Sequence, residues 1–388
     1  MYDLLIKGGE VIDPSQGIHG RQDIGISNGR IAAVNECVDP KDAKRFIDAT
    51  GKIVTPGLID LHAHVAHGIV KIGLLPDVCG VETGVTTVCD AGSTGYLTFA
   101  NFKHTVLPVA KTDVFCFLNL CPNGLKEEPE AWNRHPIDHD AIVKTFEENG
   151  DVVKGLKLRV TATMSETLGI DGVKRAKQIA KAVKVPLMVH IGIDLSEQAG
   201  ETRMDHINRQ MLDILEAGDI LTHVYTAKIG SVIKPDGYLL PGLKEAIERG
   251  VLLDTAIARF NYSIGNAKIG LEQGVIPYTV STDLTSISIN ESVFSLLTTM
   301  SKFLTIGLSL DELIRMTTIH PARVLGQENQ RGSLSTGFAA DISIVEMKEG
   351  DYTFKDGVEG KTFYGNRMLT PVMTLKSGEE IPAKKNPI

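Results

Sequence analysis

Short apolar runs recur through the middle of the chain. They are "LIDLHAH" (58–64), "VTTVCDAG" (85–92), "VFCFLNL" (114–120), "VKGLKLRV" (153–160), "PLMVHIG" (186–192), "ILTHVYT" (220–226), "VLLDTAI" (251–257) and "IPYTVSTD" (276–283). Their steps are roughly thirty residues, the length of a strand, a loop, a crossover helix and a return loop. Helical periodicity fills a gap at "GVKRAKQIAKAVK" (172–184), where Val173, Ala176, Ile179, Ala180 and Val183 share one face. Eight such units predict a (β/α)8 TIM barrel. The competing α/β architecture, a doubly wound open sheet, calls for a glycine-rich turn after its first strand, and histidines stand there instead.

Both ends of the chain have a different pattern. Residues 1–54 alternate with period two and turn at Gly8-Gly9 and at Asn28-Gly29, the latter suited to a type I′ hairpin. The segment from Gly332 onward, with "DISIVEM" (341–347) and "KTFYGNRML" (361–369), alternates in the same way. The two ends are therefore expected to pair into one small β-sandwich domain over 1–54 and 332–388, beside a barrel domain over 55–331. Within "SLDELIRMTTIHPARVLG" (309–326), Ser309 and Glu312 have capping-box spacing, which predicts a closing helix.

Composition narrows the class. The chain of 388 residues is 43% hydrophobic and 23% charged, and no apolar run approaches the ~20 residues of a membrane span. Charges at Asp3, Lys7 and Glu10 interrupt the first apolar stretch, so a secretory signal is not expected and the cytoplasm is the default compartment. Five cysteines without a CxxC pair argue against a disulfide framework or a thiolate zinc cluster. A net charge of −8 disfavours a nucleic-acid surface. The expected partner is a small-molecule substrate, with a homo-oligomer left open.

Candidate chemistry begins in the first run. His62 and His64 lie two apart, so a strand projects both imidazoles to one face, and at the end of a barrel strand that face is the interior. Such a pair is either a metal site or a hydrogen-bonded core feature. The other runs favour metal: His190, His223 and Asp283 lie near the ends of the fifth, sixth and eighth. Lys157 sits inside the fourth, where an unpaired ammonium facing a packed interior is costly. Carboxylation by CO2 turns that lysine into a carbamate anion able to bridge two divalent ions. The ligand set is then His62, His64 and Asp283 for one ion, His190 and His223 for the other, and modified Lys157 between them. Nitrogen and oxygen ligands suit Zn2+, with Mn2+, Co2+ or Fe2+ as alternatives.

"PGLIDLHAH" (56–64), "GLK" (155–157), "MVH" (188–190), "ILTH" (220–223) and "STD" (281–283), in this order, resemble the binuclear branch of the amidohydrolase superfamily. "GGEVIDP" (8–14), "NGRIAAV" (28–34), "HPARVLG" (320–326) and "GSLSTGFAADI" (332–342) resemble that superfamily's β domain and closing helix. More narrowly, "HAHVAHG" (62–68), "GVTTVCDAGS" (84–93) and "GLKLRV" (155–160) are similar to dihydroorotase-like deacetylases and D-aminoacylase-like amidohydrolases. Two departures stand out. Dihydroorotases carry an arginine two residues after the second histidine of HxH, where Ala66 stands here, so dihydroorotase activity is not expected. The loops "THVYTAKIG" (222–230) and "TAIARFNYSIG" (255–265) differ from the subgroup's versions, which leaves substrate choice open.

The resemblance implies hydrolysis by water activated between two ions, with Asp283 carrying its proton to the leaving nitrogen or oxygen. The products are a carboxylic acid plus an amine or alcohol. Cyclic-amide hydrolysis and deamination use the same water, and a non-catalytic structural role is the outsider because all six ligand positions are filled. His67, Arg159, Tyr225, Arg259 and Tyr262 are candidate substrate contacts; rim packing and hydrogen bonding are the alternative for each. His19, His104, His135, His139, His206 and His320 fall outside strand ends, where solvated or capping roles suffice.

Overall fold

The computed structural model describes residues 1–127, 130, 132, 137–193, 203–358 and 360–384. The chain opens with β1 (Leu4–Asp13), β2 (Ile18–Ser27), β3 (Arg30–Asn35), β4 (Phe46–Asp48) and β5 (Ile53–Pro56). Asn28 and Gly29 both have positive φ, 51° and 70°, as a type I′ turn between β2 and β3 requires. Gly8-Gly9 is not a turn. It lies inside β1, where the register with β2 slips between Ile6 and Gly9. A Cβ on Gly9 would meet Val54 Cγ2 at 2.6 Å, so only glycine fits this bulge. The bulge lets β1 exchange one parallel partner, β4, for another, β5.

The barrel follows with β6 (Leu58–Ala63), β7 (Val85–Gly95), β8 (Asp113–Asn119), β9 (Val153–Arg159), β10 (Leu187–His190), β11 (Ile220–Thr222) and β12 (Leu252–Asp254), paired in parallel in chain order. β6 and β7 are buried at every position, as strands covered on both faces must be. The eighth run closes the barrel without forming a regular strand. Tyr278 N and Thr279 N donate to Leu253 O, while Asp283 N donates to His62 O (2.6 Å) and His64 N to Leu284 O (2.9 Å). Its hydroxyls explain the irregularity: Thr279 and Ser281 donate to Asp254, and Thr282 to Asp60, so side chains compete with the ladder.

After the barrel, β13 (Ile342–Lys355), β14 (Thr362–Lys376) and β15 (Glu379–Pro382) return to the N-terminal strands. Strands from both ends form one mixed sheet in the order β15-β14-β13-β5-β1-β2-β3, with β4 beside β1. Leu4, Ile6, Val11, Ile24, Ile342, Ile344 and Leu375 share one apolar cluster within it. The helix Ile170–Val183 buries Val173, Ala176, Ile179 and Ala180, the predicted face. The closing segment differs from expectation in being two helices, Leu310–Met316 and Ile319–Val324; the first carries the Ser309/Glu312 capping box. Thr317 and Thr318 separate them, each hydroxyl bonding back to a carbonyl of the preceding turn.

Candidate metal centre

The centre forms where β6 ends and the eighth run closes against it. His62 lies in β6 and His64 directly after its last residue, two apart on one face, and the Asp283 backbone is fixed by its bond to His62 O. Ligand atoms of the buried His62, His64 and Asp283 lie within 4.8 Å of one another. Asp283 Oδ1 is 3.0 Å from His64 Nε2 and 3.6 Å from His62 Nε2, yet it is not aligned for a hydrogen bond with any described residue. Burial alone would raise the Asp283 carboxyl, but the His62, His64 and His223 rings hold it well below the usual range. An ionised oxygen facing two imidazole nitrogens without a proton aligned between them suits a divalent cation.

Lys157 and His223 lie beside this cluster, and His190 lies beside His223. Lys157 Nζ lies 3.3 Å from His62 Nε2 and 3.3 Å from Met188 Sδ. Gly92 makes room for it, since a Cβ there would approach Lys157 Cγ to 2.6 Å. The His190 and His223 ring centroids are 4.3 Å apart, and those of His62 and His223 5.1 Å.

Hydrogen bonds decide which nitrogen of each ring is free. His223 Nδ1 lies 2.7 Å from the carbonyl of Ala256, which only accepts, so Nδ1 carries the proton and Nε2 the lone pair. That Nε2 is buried with no hydrogen-bond partner among the described residues and lies 3.9 Å from Asp283 Oδ2. His190 is the reverse: Nε2 faces Gly192 O at 3.2 Å, leaving Nδ1 bare. His64 Nδ1 meets Ser93 Oγ at 2.8 Å, and His62 Nδ1 meets Thr222 Oγ1 at 3.1 Å. Burial, and then the Lys157 charge, pushes His62 down to about 4; burial also lowers His190 and His223 well below the imidazole range. Neutral rings with one bare nitrogen are the form that binds metal.

The remaining expected contacts divide. Arg159 pairs with His190 in the β9–β10 register, and its charge contributes to the lowering of His190. Arg259 forms an ion pair with Glu291 (2.8 Å) and lies 4.6 Å from the Phe260 ring centre, at the rim. His67 is exposed, its Nδ1 3.4 Å from Gly73 O. Tyr225 and Tyr262 are buried in the apolar core: both pack against Phe303, and Tyr225 donates to Val275 O at 2.7 Å. The cause for Tyr225 is the φ of +66° at His223, which turns the chain so that residues two apart no longer share a face. His135 lies outside the described residues.

Four polar residues that sequence reading passed over sit at the centre. Ser93 and Thr222 touch His64 and His62; Asp254 receives Thr222; and Asn261 Nδ2 lies 3.3 Å from Asp283 Oδ2. Burial would raise Asp254, but bonds from His62, Ser281 and Thr279 hold it below its ordinary value. Thr222 and Asp254 end β11 and β12, Ser93 lies near the end of β7 and Asn261 in the loop after β12, and this placement at the C-terminal side of the barrel is the signal that could have found them.

A buried His-x-His with an aspartate, at the C-terminal mouth of a (β/α)8 barrel, defines a metal-dependent hydrolase. Comparison with known proteins agrees. The profile of the amidohydrolase family matches residues 53–381. A deacetylase of Brucella anthropi is 33% identical over 364 residues, covering 92% of this chain and 87% of its own. A solved dihydroorotase superposes with a TM-score of 0.85 at 30% identity, covering 98% of this chain and 100% of that one. An adenine deaminase does so with a TM-score of 0.87 at 29% identity, with the same coverage. The chain belongs to the amidohydrolase family. Among the described residues no helix is long and apolar enough to cross a membrane.

Proposed function

We propose that this hydrolase removes a short acyl group, of the acetyl class, from the nitrogen or oxygen of a small carboxylate-bearing compound. The observation that carries the reading is the buried His62–His64–Asp283 cluster in a chain similar to deacetylases along most of its length. The cofactor is two divalent ions, Zn2+ first, with Mn2+, Co2+ or Fe2+ as alternatives. His62, His64 and Asp283 would hold one and His190 and His223 the other. Lys157 would bridge them as a carbamate: its neutral amine adds to CO2, an N–C bond forms, and one proton leaves to solvent. Burial supports this, pushing the Lys157 ammonium down to about 7 and so keeping neutral amine available.

Bound, the ions supply water activation at neutral pH and polarisation of the scissile carbonyl. The chain's own residues do the rest. Asp283 takes the proton of the attacking water and delivers it to the leaving nitrogen or oxygen. Asn261 keeps Asp283 Oδ2 turned toward that transfer from 3.3 Å. Arg159, level with His190 in the neighbouring strand, binds the substrate carboxylate in a bidentate pair.

A second reading, ring opening of a cyclic amide or deamination, draws on the likeness to the dihydroorotase and adenine deaminase structures. Against ring opening stands Ala66 in the place of the dihydroorotase arginine. The deciding experiment is a screen of metal-loaded protein against N-acyl amino acids, acetylated hydroxy acids, cyclic amides and aminopurines. Release of the short-chain acid with the free amine or alcohol is expected; turnover confined to ring opening or ammonia release overturns the deacylase reading.

A further inference from the structure

His62 has a hydrogen-bonded support that extends two residues deep. Thr222 Oγ1 lies 3.1 Å from His62 Nδ1 and 2.7 Å from Asp254 Oδ2. Thr279 Oγ1 and Ser281 Oγ both reach Asp254 Oδ1 at 2.7 Å. Asp254 and Thr222 are fully buried, so this network lies in the protein interior. We propose that Asp254 is a positioning residue, which acts through Thr222 to fix the tautomer of His62 with Nε2 bare and aimed at the metal. The inference rests on the reading of His62 as a ligand.

Proton counting fixes the direction of each bond. A hydroxyl has one proton to donate, and an ionised carboxylate only accepts. Were the Thr222 proton turned toward His62, its oxygen would face Asp254 Oδ2 at 2.7 Å with lone pairs on both sides, a repulsive contact in a dry interior. The proton therefore belongs to Asp254, and Thr222 Oγ1 must accept from His62 Nδ1–H. Asp254 Oδ2 reinforces this directly from 3.4 Å. The ring proton is held on the far side from Asp283 and Lys157, and Nε2 is left with its lone pair. Ligand histidines are commonly oriented by such outer partners, whose loss costs ~10–100-fold in metal affinity.

Asp254→Asn is the critical variant. Its carboxamide oxygen can keep Thr279 and Ser281, which turns its NH2 toward Thr222. The hydroxyl must then donate to His62, and the ring proton moves to Nε2. Nitrogen-resolved NMR of the metal-free protein, with His62→Gln to assign the ring, should show a proton on Nδ1 in the wild type and on Nε2 in Asp254→Asn. Zinc affinity, read by competition with a chromogenic chelator, should fall by about 10–100-fold. Thr222→Val leaves Asp254 itself beside Nδ1 and should lose less, and Thr222→Ser should restore wild-type behaviour. An Asp254→Asn protein with the wild-type tautomer or wild-type zinc affinity overturns the proposal. Should that variant fail to fold, Thr222→Val decides: zinc affinity equal to wild type overturns it. Expected ring states in a wild type that binds no zinc would instead sink the metal reading and leave the tautomer assignment standing.

Discussion

Lys157 and Lys302 are both buried, at 1% and 2% exposure, and burial lowers each ammonium from its ordinary 10.5 to about 7. Their surroundings differ. Lys302 lies on the helix Leu296–Thr305, which is tied to β14 by Ser301 Oγ on Leu369 N. Its Nζ donates to the carbonyls of Ser292 (2.9 Å) and Lys355 (3.1 Å), with the charge of Asp356 nearby. Lys157, at the barrel mouth, has a histidine nitrogen and a thioether at hydrogen-bond distance and, among the described residues, no carbonyl, with the charges of Asp283 and Asp254 nearby. A buried cation with oxygen acceptors is a completed structure. One facing an imidazole nitrogen, with the charges of Asp283 and Asp254 near but not bonded to it, is not completed in that way, and a carbamate would exchange the cation for an anion. The comparison teaches that burial and a lowered pKa do not distinguish a structural lysine from a chemical one; the identity of the neighbouring atoms does.

If that distinction is right, removing Lys157 has the largest effect available in the molecule. Lys157→Ala should lose metal and turnover together, with turnover falling by more than the ~10^4 that acid–base assistance alone contributes. Chelation of the wild type should reproduce the loss, and a short carboxylic acid should restore part of it to the variant. Elemental analysis finding both ions retained in Lys157→Ala, with unchanged rate, would make Lys157 a second structural lysine.

Asp283 ranks next because it is expected to carry protons as well as bind. Asp283→Asn keeps a coordinating oxygen and removes the base, so metal content should stay near wild type while kcat drops ~10^2–10^4-fold. Unchanged kcat with metal retained would move the proton to another group at the mouth. Ser93→Ala is milder. It removes the 2.8 Å partner of His64 Nδ1 without touching the bound ion, and should weaken zinc affinity by about tenfold. Saturating zinc should return kcat to wild type; a kcat deficit that persists would mean Ser93 touches substrate.

The same contrast explains what was legible in the sequence. The barrel can be read because its strands are buried on both faces and spell continuous apolar runs. His62, His64 and Lys157 can be read because they interrupt such runs. Lys302 interrupts one too, in "TTMSKFLT", but a helix gives a lysine many outward positions, so no anomaly registers. Ser93, Thr222, Asp254 and Asn261 look like ordinary loop-edge polar residues; their meaning is a partner distant in sequence, such as His62 for Thr222, 160 positions away. The irregular eighth segment and the outward turn of Tyr225 follow from hydroxyl bonding and from a positive φ, which hydrophobic patterning does not encode.

The smallest prediction tests the structural lysine. Lys302→Met keeps a similar length and leaves the metal centre intact, so metal content and kcat should match wild type. It removes the lysine partner of the buried Ser292 carbonyl, at ~1–3 kcal/mol for a buried group left unsatisfied, and of the part-buried Lys355 carbonyl, and also abolishes the burial of a charge, which offsets part of that cost. Linkage separates the two contributions. With a folded pKa of about 7 and an unfolded value near 10.5, the unfolded chain binds more protons between those limits, so this lysine makes stability rise as pH rises across that window and contributes no slope below it. The methionine variant lacks this slope. Urea unfolding at several pH values should therefore show its deficit relative to wild type growing from pH 7 toward pH 10, while metal content stays constant throughout. A deficit independent of pH would mean that Lys302 is charged in the folded protein across that range, and so paired more strongly than its two carbonyls imply. A loss of bound metal would join the surroundings of Lys302 to the barrel mouth and end the separation between the two lysines.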